Sequence, residues 1–169
     1  MAQERLEEKL VFADASPLIG LAAAGGFGLL RRLFGALRIT AAVRNEVLAG
    51  GMRPGARELQ AGLHAGWIRV IENVPDESPF ADLGEGESGT LRAALAAGQD
   101  TLVILDDREA RAAATASGIE HVGTLGILVA AKRRNLIKAA RPYFARLVEC
   151  GFQLPEALVK ALLHDLGET

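Results

Sequence analysis

Residues 101–107 read TLVILDD, an apolar run that ends in two adjacent aspartates. Short apolar runs rich in β-branched residues are typical of strands buried on both faces, as in the centre of a parallel sheet. A second run, LVFA at residues 10–13, also ends in an aspartate, Asp14. Because open α/β sheets build their sites beyond the carboxyl ends of their strands, Asp14, Asp106 and Asp107 are the first candidates for chemistry.

The rest of the chain alternates between strand and helix signals. Ser16 followed by Pro17 is typical of a helix start, and glycine pairs or single glycines end several helical patterns. Strands are predicted at residues 10–13, 37–39, 67–71, 101–105 and 119–122, and helices at residues 18–24, 27–34, 40–49, 55–65, 84–97, 108–117, 125–132, 137–149 and 155–166. This alternation predicts an α/β fold, in which a central parallel sheet of four to five strands is covered by helices on both faces.

The composition is that of a single domain without disulfides. The chain has 169 residues, of which 50% are apolar and 24% charged, and its formal net charge is −2. This balance gives no global attraction to nucleic acid, so any such contact must come from a local basic surface. The single cysteine, Cys150, excludes an internal disulfide and a CxxC or zinc-finger site, and we predict that it is a small buried apolar residue.

Targeting and membrane signals are not found in the sequence. The charged amino terminus, MAQERLEEKL, lacks the apolar core of a signal peptide. No apolar run approaches the roughly 18 residues of a membrane span. These observations predict a cytoplasmic protein that makes no membrane contact.

Two further carboxylates lie on predicted helices with signs of partial burial. Glu46 shares its helix face with Val43, three positions earlier, which places it near the buried side. Glu87 has Leu83 and Leu91 at a spacing of four residues, so it lies on the apolar stripe of its helix. Both glutamates are therefore candidates to join the aspartates at the strand ends.

Carboxylates gathered in one place repel each other and lose hydration unless a cation compensates them. Oxygen ligands without histidine or cysteine suit Mg²⁺ or Mn²⁺. The acids therefore predict a divalent-metal site and, as the first function, a metal-dependent phosphodiesterase. Two alternatives stay open: Asp14 could simply cap the helix that follows it, and the sequence does not decide which of Asp106 and Asp107 faces the site and which caps the helix at Arg108.

Five segments, spread in order over residues 11–137, carry a resemblance to a known family. They read VFADASPLIGLA, ITAAVRNEVL, LGEGESGTLRAAL, TLVILDDREARAAA and HVGTLGILVAAKRRNLI. In this order they are similar to the PIN-domain ribonucleases, in particular the VapC-like toxins. The resemblance implies a PIN-like three-layer fold in one domain over residues 1–169, with residues from about 138 to 169 as a C-terminal helical extension.

The resemblance also implies a role for each acid. The first three acidic positions of the family, and the hydroxyl position after the first, are occupied here by Asp14, Glu46, Glu87 and Ser16. The fourth acid falls on Asp107 if Leu105 stands where the family usually has threonine; Asp106 is then in the variable position. Because that threonine is lacking, both aspartates are kept as catalytic and metal-binding candidates. One or two Mg²⁺ or Mn²⁺ ions at these acids would support hydrolysis of RNA.

An RNA substrate requires positive charge near the acids. Arg108 and Arg111 follow the aspartate pair, and residues 131–146 form a basic run without an acid, in which Lys132, Arg133 and Arg134 are the predicted phosphate contacts. The alternative for this run is a solvated helix face. The resemblance further implies an antitoxin protein that covers the acidic pocket, and a homodimer; the apolar segment 27–34 is a candidate contact, although core packing is the favoured interpretation.

Other classes of protein fit the sequence less well. A haloacid-dehalogenase phosphatase needs Asp-x-Asp after the first strand, where this chain has Asp14-Ala15-Ser16, and a phosphoaspartate receiver needs a lysine on the last strand, which residues 119–122 lack. A flap nuclease needs additional DNA-binding elements. A catalytically inactive PIN-like module that binds RNA or protein is disfavoured because every acidic position is filled.

Overall fold

The computed structural model describes residues 9–76, 79–98 and 100–168, and within them it contains five strands and nine helices. The strands are β1 (Leu10–Ala13), β2 (Leu37–Thr40), β3 (Ile68–Ile71), β4 (Thr101–Ile104) and β5 (Glu120–Val122). The helices are α1 (Ala15–Ala23), α2 (Gly28–Phe34), α3 (Ala41–Ala49), α4 (Ala56–His64), α5 (Glu85–Ala97), α6 (Arg108–Ala116), α7 (Thr124–Arg133), α8 (Arg141–Glu149) and α9 (Glu156–Asp165). Each predicted strand and helix is confirmed, with shifts at the ends. Residues 1–8, where the sequence predicts no signal peptide, lie outside the described residues.

All strand pairs in the sheet are parallel, and the strand order is β3-β2-β1-β4-β5. The chain therefore moves outward from β1 in one direction through β2 and β3, then returns to the other side of β1 with β4. This reversal lies between β1 and β4, where Ala13 pairs with Ile104 and the Asp14 N–H donates to the Ile104 carbonyl at 3.1 Å. A reversal of strand order opens a crevice at the carboxyl ends of the strands. Asp14 lies at that crevice.

The two faces of the sheet are covered by different helices, as the period of two along each strand requires. Phe12, Val103 and Leu105 are buried in a core that includes Leu91 of α5 and Ala110 of α6. The alternate strand residues belong to a larger core shared with α1, α2, α7 and α8; they are Val11, Ala13, Leu102 and Ile104. The result is a three-layer α/β sandwich, as predicted.

The last two helices pack on the larger of these cores. Phe144 and Leu147 of α8 are buried in it, and so is Leu163 of α9. The helix predicted from residue 137 begins later, at Arg141, because a proline in its first turn has no N–H to donate and is tolerated only near a helix start. The carboxylate of Glu168 accepts from the N–H groups of Ala140 and Arg141 and so satisfies that helix end.

Two interpretations of apolar residues are settled by burial. The apolar segment 27–34 is core: Phe27, Leu30 and Leu33 are buried, which removes it as a dimer contact. The prediction that Cys150 is buried is wrong, because it lies exposed beyond the end of α8, where the chain turns toward Gly151. No single helix in the described part of the chain is long and apolar enough to cross a membrane.

Candidate functional site

Asp14 is the most unusual polar residue of the structure. It lies between β1 and α1, in the position from which a side chain normally caps a helix, yet its carboxylate makes no capping hydrogen bond. Only 3% of the residue is exposed. Its Oδ1 atom is buried and has no hydrogen-bond partner within the described residues. The alternative that Asp14 is only a helix cap is therefore not realised, because neither carboxylate oxygen forms a capping hydrogen bond.

The surroundings of Asp14 oppose its negative charge. Burial raises the pKa of its carboxyl to about 7, from the ordinary value of 3.8. The charges of Glu87 and Glu46 contribute to this rise in the pKa, and the backbone N–H groups of Ala15 and Ser16 partly offset it. A buried carboxylate held among like charges costs free energy unless a cation joins it.

Glu46 brings a second carboxylate to the same place. Val43 and Val47 of α3 are buried and fix this helix against the core. Glu46 itself is largely exposed rather than near the buried side as its spacing suggests. Partial burial and the charge of Glu87 raise its pKa. Its carboxylate therefore stands at the mouth of the crevice, in the field of the other acids.

The two carboxylates converge on a glycine. A Cβ atom built on Gly86 would lie 3.1 Å from Asp14 Oδ1 and 3.2 Å from Glu46 Oε2, with Val43 Cγ2 at 3.9 Å. Gly86 is buried in the first turn of α5. The absent side chain therefore leaves a small space that both oxygens border. Sequence reasoning missed Gly86; its signal is the glycine inside a predicted helix, which costs about 1 kcal/mol relative to alanine.

Glu87 interacts electrostatically with Asp14 and Glu46, but its carboxylate lies beside Gly84. It raises the pKa of both Asp14 and Glu46, so it lies near both. Its own carboxylate is folded back over Gly84, where any Cβ would collide with Glu87 Oε2. Glu87 must change its rotamer to share a ligand with the other two acids, and its flexible side chain permits this.

The aspartate pair after β4 is divided between two helix starts. Asp107 caps α6, since its Oδ1 accepts from the Ala110 N–H at 2.7 Å. Asp106 reaches α7 instead: its Oδ1 accepts from the Thr124 N–H at 2.8 Å and its Oδ2 from the Thr124 hydroxyl at 2.6 Å. The expectation that one aspartate caps the helix at Arg108 is confirmed for Asp107. The register that puts the fourth acid at Asp107 receives no support from this geometry.

These caps predict different stability losses for the two aspartates. Asp107→Ala is expected to lower the free energy of unfolding by about 1 kcal/mol, because it removes one helix cap. Asp106→Ala removes two charge-assisted hydrogen bonds between β4 and α7 and is expected to cost about 2–3 kcal/mol. Urea denaturation of the metal-free proteins measures both values. A larger loss for Asp107→Ala than for Asp106→Ala would contradict this assignment.

Ser16, Arg108 and Arg111, which were predicted to lie near the acids, are found at the carboxyl edge of the sheet. Ser16 lies in the first turn of α1 and is exposed, as is Arg108 at the start of α6. Arg111 lies one turn further along α6, and its Nη1 is 3.5 Å from the Cβ position of Gly123, which is also 3.1 Å from Asp106 Oδ1. Arg108 and Arg111 therefore supply positive charge on the acidic side of the molecule.

The structure does not bring the predicted phosphate contacts Lys132, Arg133 and Arg134 to the acids. They lie at the far end of α7, whose first residue, Thr124, is held by Asp106 at the carboxyl edge. At 1.5 Å per residue, this helix separates its two ends by roughly 15 Å. Arg134 Nη1 instead donates to the Leu33 carbonyl, just before β2, at the amino edge of the sheet.

The donor set fits a hard divalent cation in part. Among the described residues no group of three or more His, Cys, Asp and Glu side chains lies close enough to hold a metal ion. Two carboxylates do converge, and one of them offers a buried oxygen without a partner. Asp14 and Glu46 thus present the two carboxylates that could hold such a cation, and Glu87 could add a third after a rotamer change.

Comparison with protein families identifies the class to which this arrangement belongs. The model of the PIN-domain family matches residues 10–168, which include the last two helices. The chain therefore belongs to the PIN-domain family, whose members are generally nucleases. A comparison with curated proteins finds no match to this chain.

Proposed function

We propose that this protein is a divalent-metal-dependent endoribonuclease and the toxin of a toxin–antitoxin pair. The observation that carries the proposal is Asp14 Oδ1, a buried carboxylate oxygen without a hydrogen-bond partner, set beside a second carboxylate. Membership of the PIN family gives this acidic crevice a nuclease-type fold. The specificity for RNA and the role as a toxin rest on the resemblance to VapC-like proteins.

The acids would hold Mg²⁺ or Mn²⁺ at the space beside Gly86. Asp14 and Glu46 are the first ligands, and Glu87, together with Asp106 or Asp107, completes the set by side-chain movement. Such an ion, when bound, lowers the pKa of a bound water and offsets the charge that develops on the phosphate. Hydrolysis would add a water molecule to phosphorus, break one P–O bond of the RNA backbone and leave a proton of that water on the departing oxygen. Arg108 and Arg111 bind the neighbouring phosphates, and Ser16 orients the water near Asp14.

Cleavage of RNA under controlled metal conditions tests the proposal. Purified protein is incubated with a mixed panel of RNAs in Mg²⁺, in Mn²⁺ or in EDTA, beside an Asp14→Asn variant. Cleavage by the wild type in metal, abolished by EDTA and by the substitution, is expected. Cleavage that survives the substitution would come from a contaminant. Absence of both cleavage and metal binding would instead favour an inactive PIN-like module that binds RNA or protein.

The remaining expectations concern partners and location. An antitoxin would cover the acidic crevice. An arginine that it inserts beside Asp14 would pair its positive charge with the buried carboxylate. A homodimer and a cytoplasmic location complete the proposal. Co-expression with the product of a neighbouring small gene, followed by size-exclusion chromatography, tests the complex and the dimer together.

A further inference from the structure

The basic run that lies away from the acids forms a surface of its own. Residues 121–148 contain six lysines and arginines and no aspartate or glutamate. Five of these cations, with one from α2, meet at the amino edge of the sheet. We call this the distal basic surface, and its members are Arg32, Lys132, Arg133, Arg134, Lys138 and Arg141.

Hydrogen bonds to backbone carbonyls hold this surface together. Arg32 Nη1 donates to the Leu136 carbonyl at 3.0 Å, and Arg134 Nη1 donates to the Leu33 carbonyl at 3.4 Å, so the two arginines link α2 to the end of α7 in both directions. Lys132 Nζ donates to the Lys138 carbonyl at 2.6 Å. A carbonyl orients a cation without cancelling its charge.

The surface therefore keeps most of its positive charge. None of the ion pairs found among the described residues involves these six side chains. The nearby acid is Glu168, whose carboxylate accepts from the backbone N–H groups of Ala140 and Arg141. Burial acts to raise the pKa of Glu168, but these N–H groups and the charges of Lys132 and Arg141 outweigh it and lower the pKa. Among the described residues, Glu168 is the carboxylate that interacts with this surface, so the six cations leave it with a net positive charge.

We propose that the distal basic surface binds the sugar–phosphate backbone of the RNA strand whose other part lies at the acids. The proposal rests on the proposed function, which it deepens by assigning the substrate a second contact point. The length of α7 separates the carboxyl edge from the distal basic surface by roughly 15 Å, so an RNA strand that reaches both must span at least about four or five stacked nucleotides at 3.4 Å each. The surface thus anchors longer RNA and does not contact the scissile phosphate.

The test compares the binding of short and long RNA by a protein that cannot cleave it. Arg133→Glu with Lys138→Glu is introduced into the Asp14→Asn background; both side chains are exposed, and no hydrogen bond or ion pair involves them within the described residues. Arg57→Glu with Arg69→Glu, two exposed residues on α4 and β3, is the matched control for charge. Fluorescence anisotropy measures Kd for labelled 4-nucleotide and 20-nucleotide RNAs over a range of NaCl concentrations.

The expected result is a loss confined to the long RNA. Kd of the 20-mer is expected to rise about tenfold, and the slope of log Kd against log salt to fall by about 1–1.5, because two phosphate contacts are lost. Kd of the 4-mer and both values for the control pair are expected to change by less than about twofold. An equal loss on both lengths, an equal loss in the control, or no loss at all would overturn the proposal.

A cleavage experiment separates this inference from the proposed function. In the background with an intact Asp14, the loss is expected in KM for the 20-mer. If the wild type cleaves RNA but the Arg133 and Lys138 substitutions leave KM unchanged, the distal surface is refuted and the nuclease stands. If neither RNA cleavage nor metal binding is found under any metal condition but the length-dependent binding is found, the reaction is refuted and the surface stands. Binding of an acidic protein in place of RNA would overturn it.

Discussion

Replacing Asp14 with asparagine is expected to make the metal-free protein more stable at pH 8 while abolishing RNA cleavage. Burial raises the pKa of the Asp14 carboxyl from 3.8 to about 7, so the folded protein binds this proton more tightly than the unfolded chain does. Below about pH 4 the Asp14 carboxyl is protonated in both the folded and the unfolded protein and does not change the free energy of unfolding. As pH rises toward 7, ionisation of this carboxyl lowers the free energy of unfolding. Above pH 7 the ionised carboxylate opposes folding by up to about 4 kcal/mol, at about 1.4 kcal/mol for each pKa unit.

Asparagine removes this cost because its amide carries no charge at any pH in this range. The gain in the free energy of unfolding is expected to lie between about 1 and 4 kcal/mol at pH 8 and to vanish near pH 4. Urea denaturation in EDTA across this range measures it. Asp82→Asn, which removes one charge from an exposed aspartate, is the matched control and should change stability by less than about 0.5 kcal/mol.

Divalent metal should offset the gain from asparagine and should reverse the order of stability wherever that gain is below about 2.7 kcal/mol. Mg²⁺ or Mn²⁺ at one hundred times its Kd is expected to stabilise the wild type by about 2.7 kcal/mol and to leave Asp14→Asn unaffected. Cleavage should fall at least about a thousandfold, in keeping with the several kcal/mol that a metal contributes to such a transition state. An Asp14→Asn protein that is less stable than the wild type at pH 8 without metal would show that this carboxylate supports the fold.

Much of this site could be predicted because its position depends on local sequence patterns. The runs before Asp14 and Asp106 are apolar enough to be buried strands, and parallel strands end at a common edge, so the aspartates had to lie at that edge. Glu46 and Glu87 could be proposed from their neighbours at helical spacing, although the burial that this spacing predicts for Glu46 is not found, because Glu46 is exposed. The PIN resemblance gave the order of these acids along the chain, and the family match confirms that fold.

The partners of Asp106 could not be predicted from local patterns. Its carboxylate bonds to Thr124, which is 18 residues away in sequence. Two adjacent aspartates at a strand end are equivalent until the start of a distant helix is located in space. For the same reason, the folded-back carboxylate of Glu87 could not be read from the segment GEGES, since a side-chain rotamer is not a property of the sequence pattern.

The basic run shows a different limit. Lys132, Arg133 and Arg134 follow the aspartate pair along the chain, after α6, β5 and α7, but they lie at the opposite edge of the sheet, because α7 returns from the carboxyl edge before it ends. This separation follows from helix length and from the parallel sheet, both of which were predicted. Positive charge at the carboxyl end of a helix that begins at the carboxyl edge of the sheet therefore lies at the far edge of such a fold.

Replacing Gly86 with alanine is expected to impair metal binding and cleavage without unfolding the protein. The new methyl group would lie 3.1 Å from Asp14 Oδ1 and 3.2 Å from Glu46 Oε2, so the two oxygens must move by a few tenths of an ångström. Alanine also favours the helix by about 1 kcal/mol relative to glycine, which offsets this strain in the metal-free protein. The unfolding free energy should therefore stay near that of the wild type.

The Gly86→Ala substitution should therefore affect metal binding and cleavage, and not the stability of the metal-free protein. A displaced ligand pair and a filled space are expected to weaken Mn²⁺ binding about 10- to 100-fold and to lower kcat about a hundredfold. Paramagnetic resonance of free Mn²⁺ measures the affinity, and single-turnover cleavage measures the rate. Restored cleavage at high Mn²⁺ concentration would assign the defect to affinity; a deficit that persists at saturation would assign it to geometry.

Gly89→Ala is the control that separates space at the site from the helix itself. Gly89 is a buried glycine of the same helix, and its Cβ would lie 3.7 Å from Thr40 Cγ2 and 3.8 Å from Thr40 Oγ1, which is ordinary contact. The substitution is expected to stabilise the protein by up to about 1 kcal/mol and to leave Mn²⁺ affinity unchanged. If Gly86→Ala matches it in both measurements, the space bordered by Asp14 and Glu46 does not receive the metal. If only Gly86→Ala loses affinity, a missing methyl group in α5 is part of how this chain holds its cation.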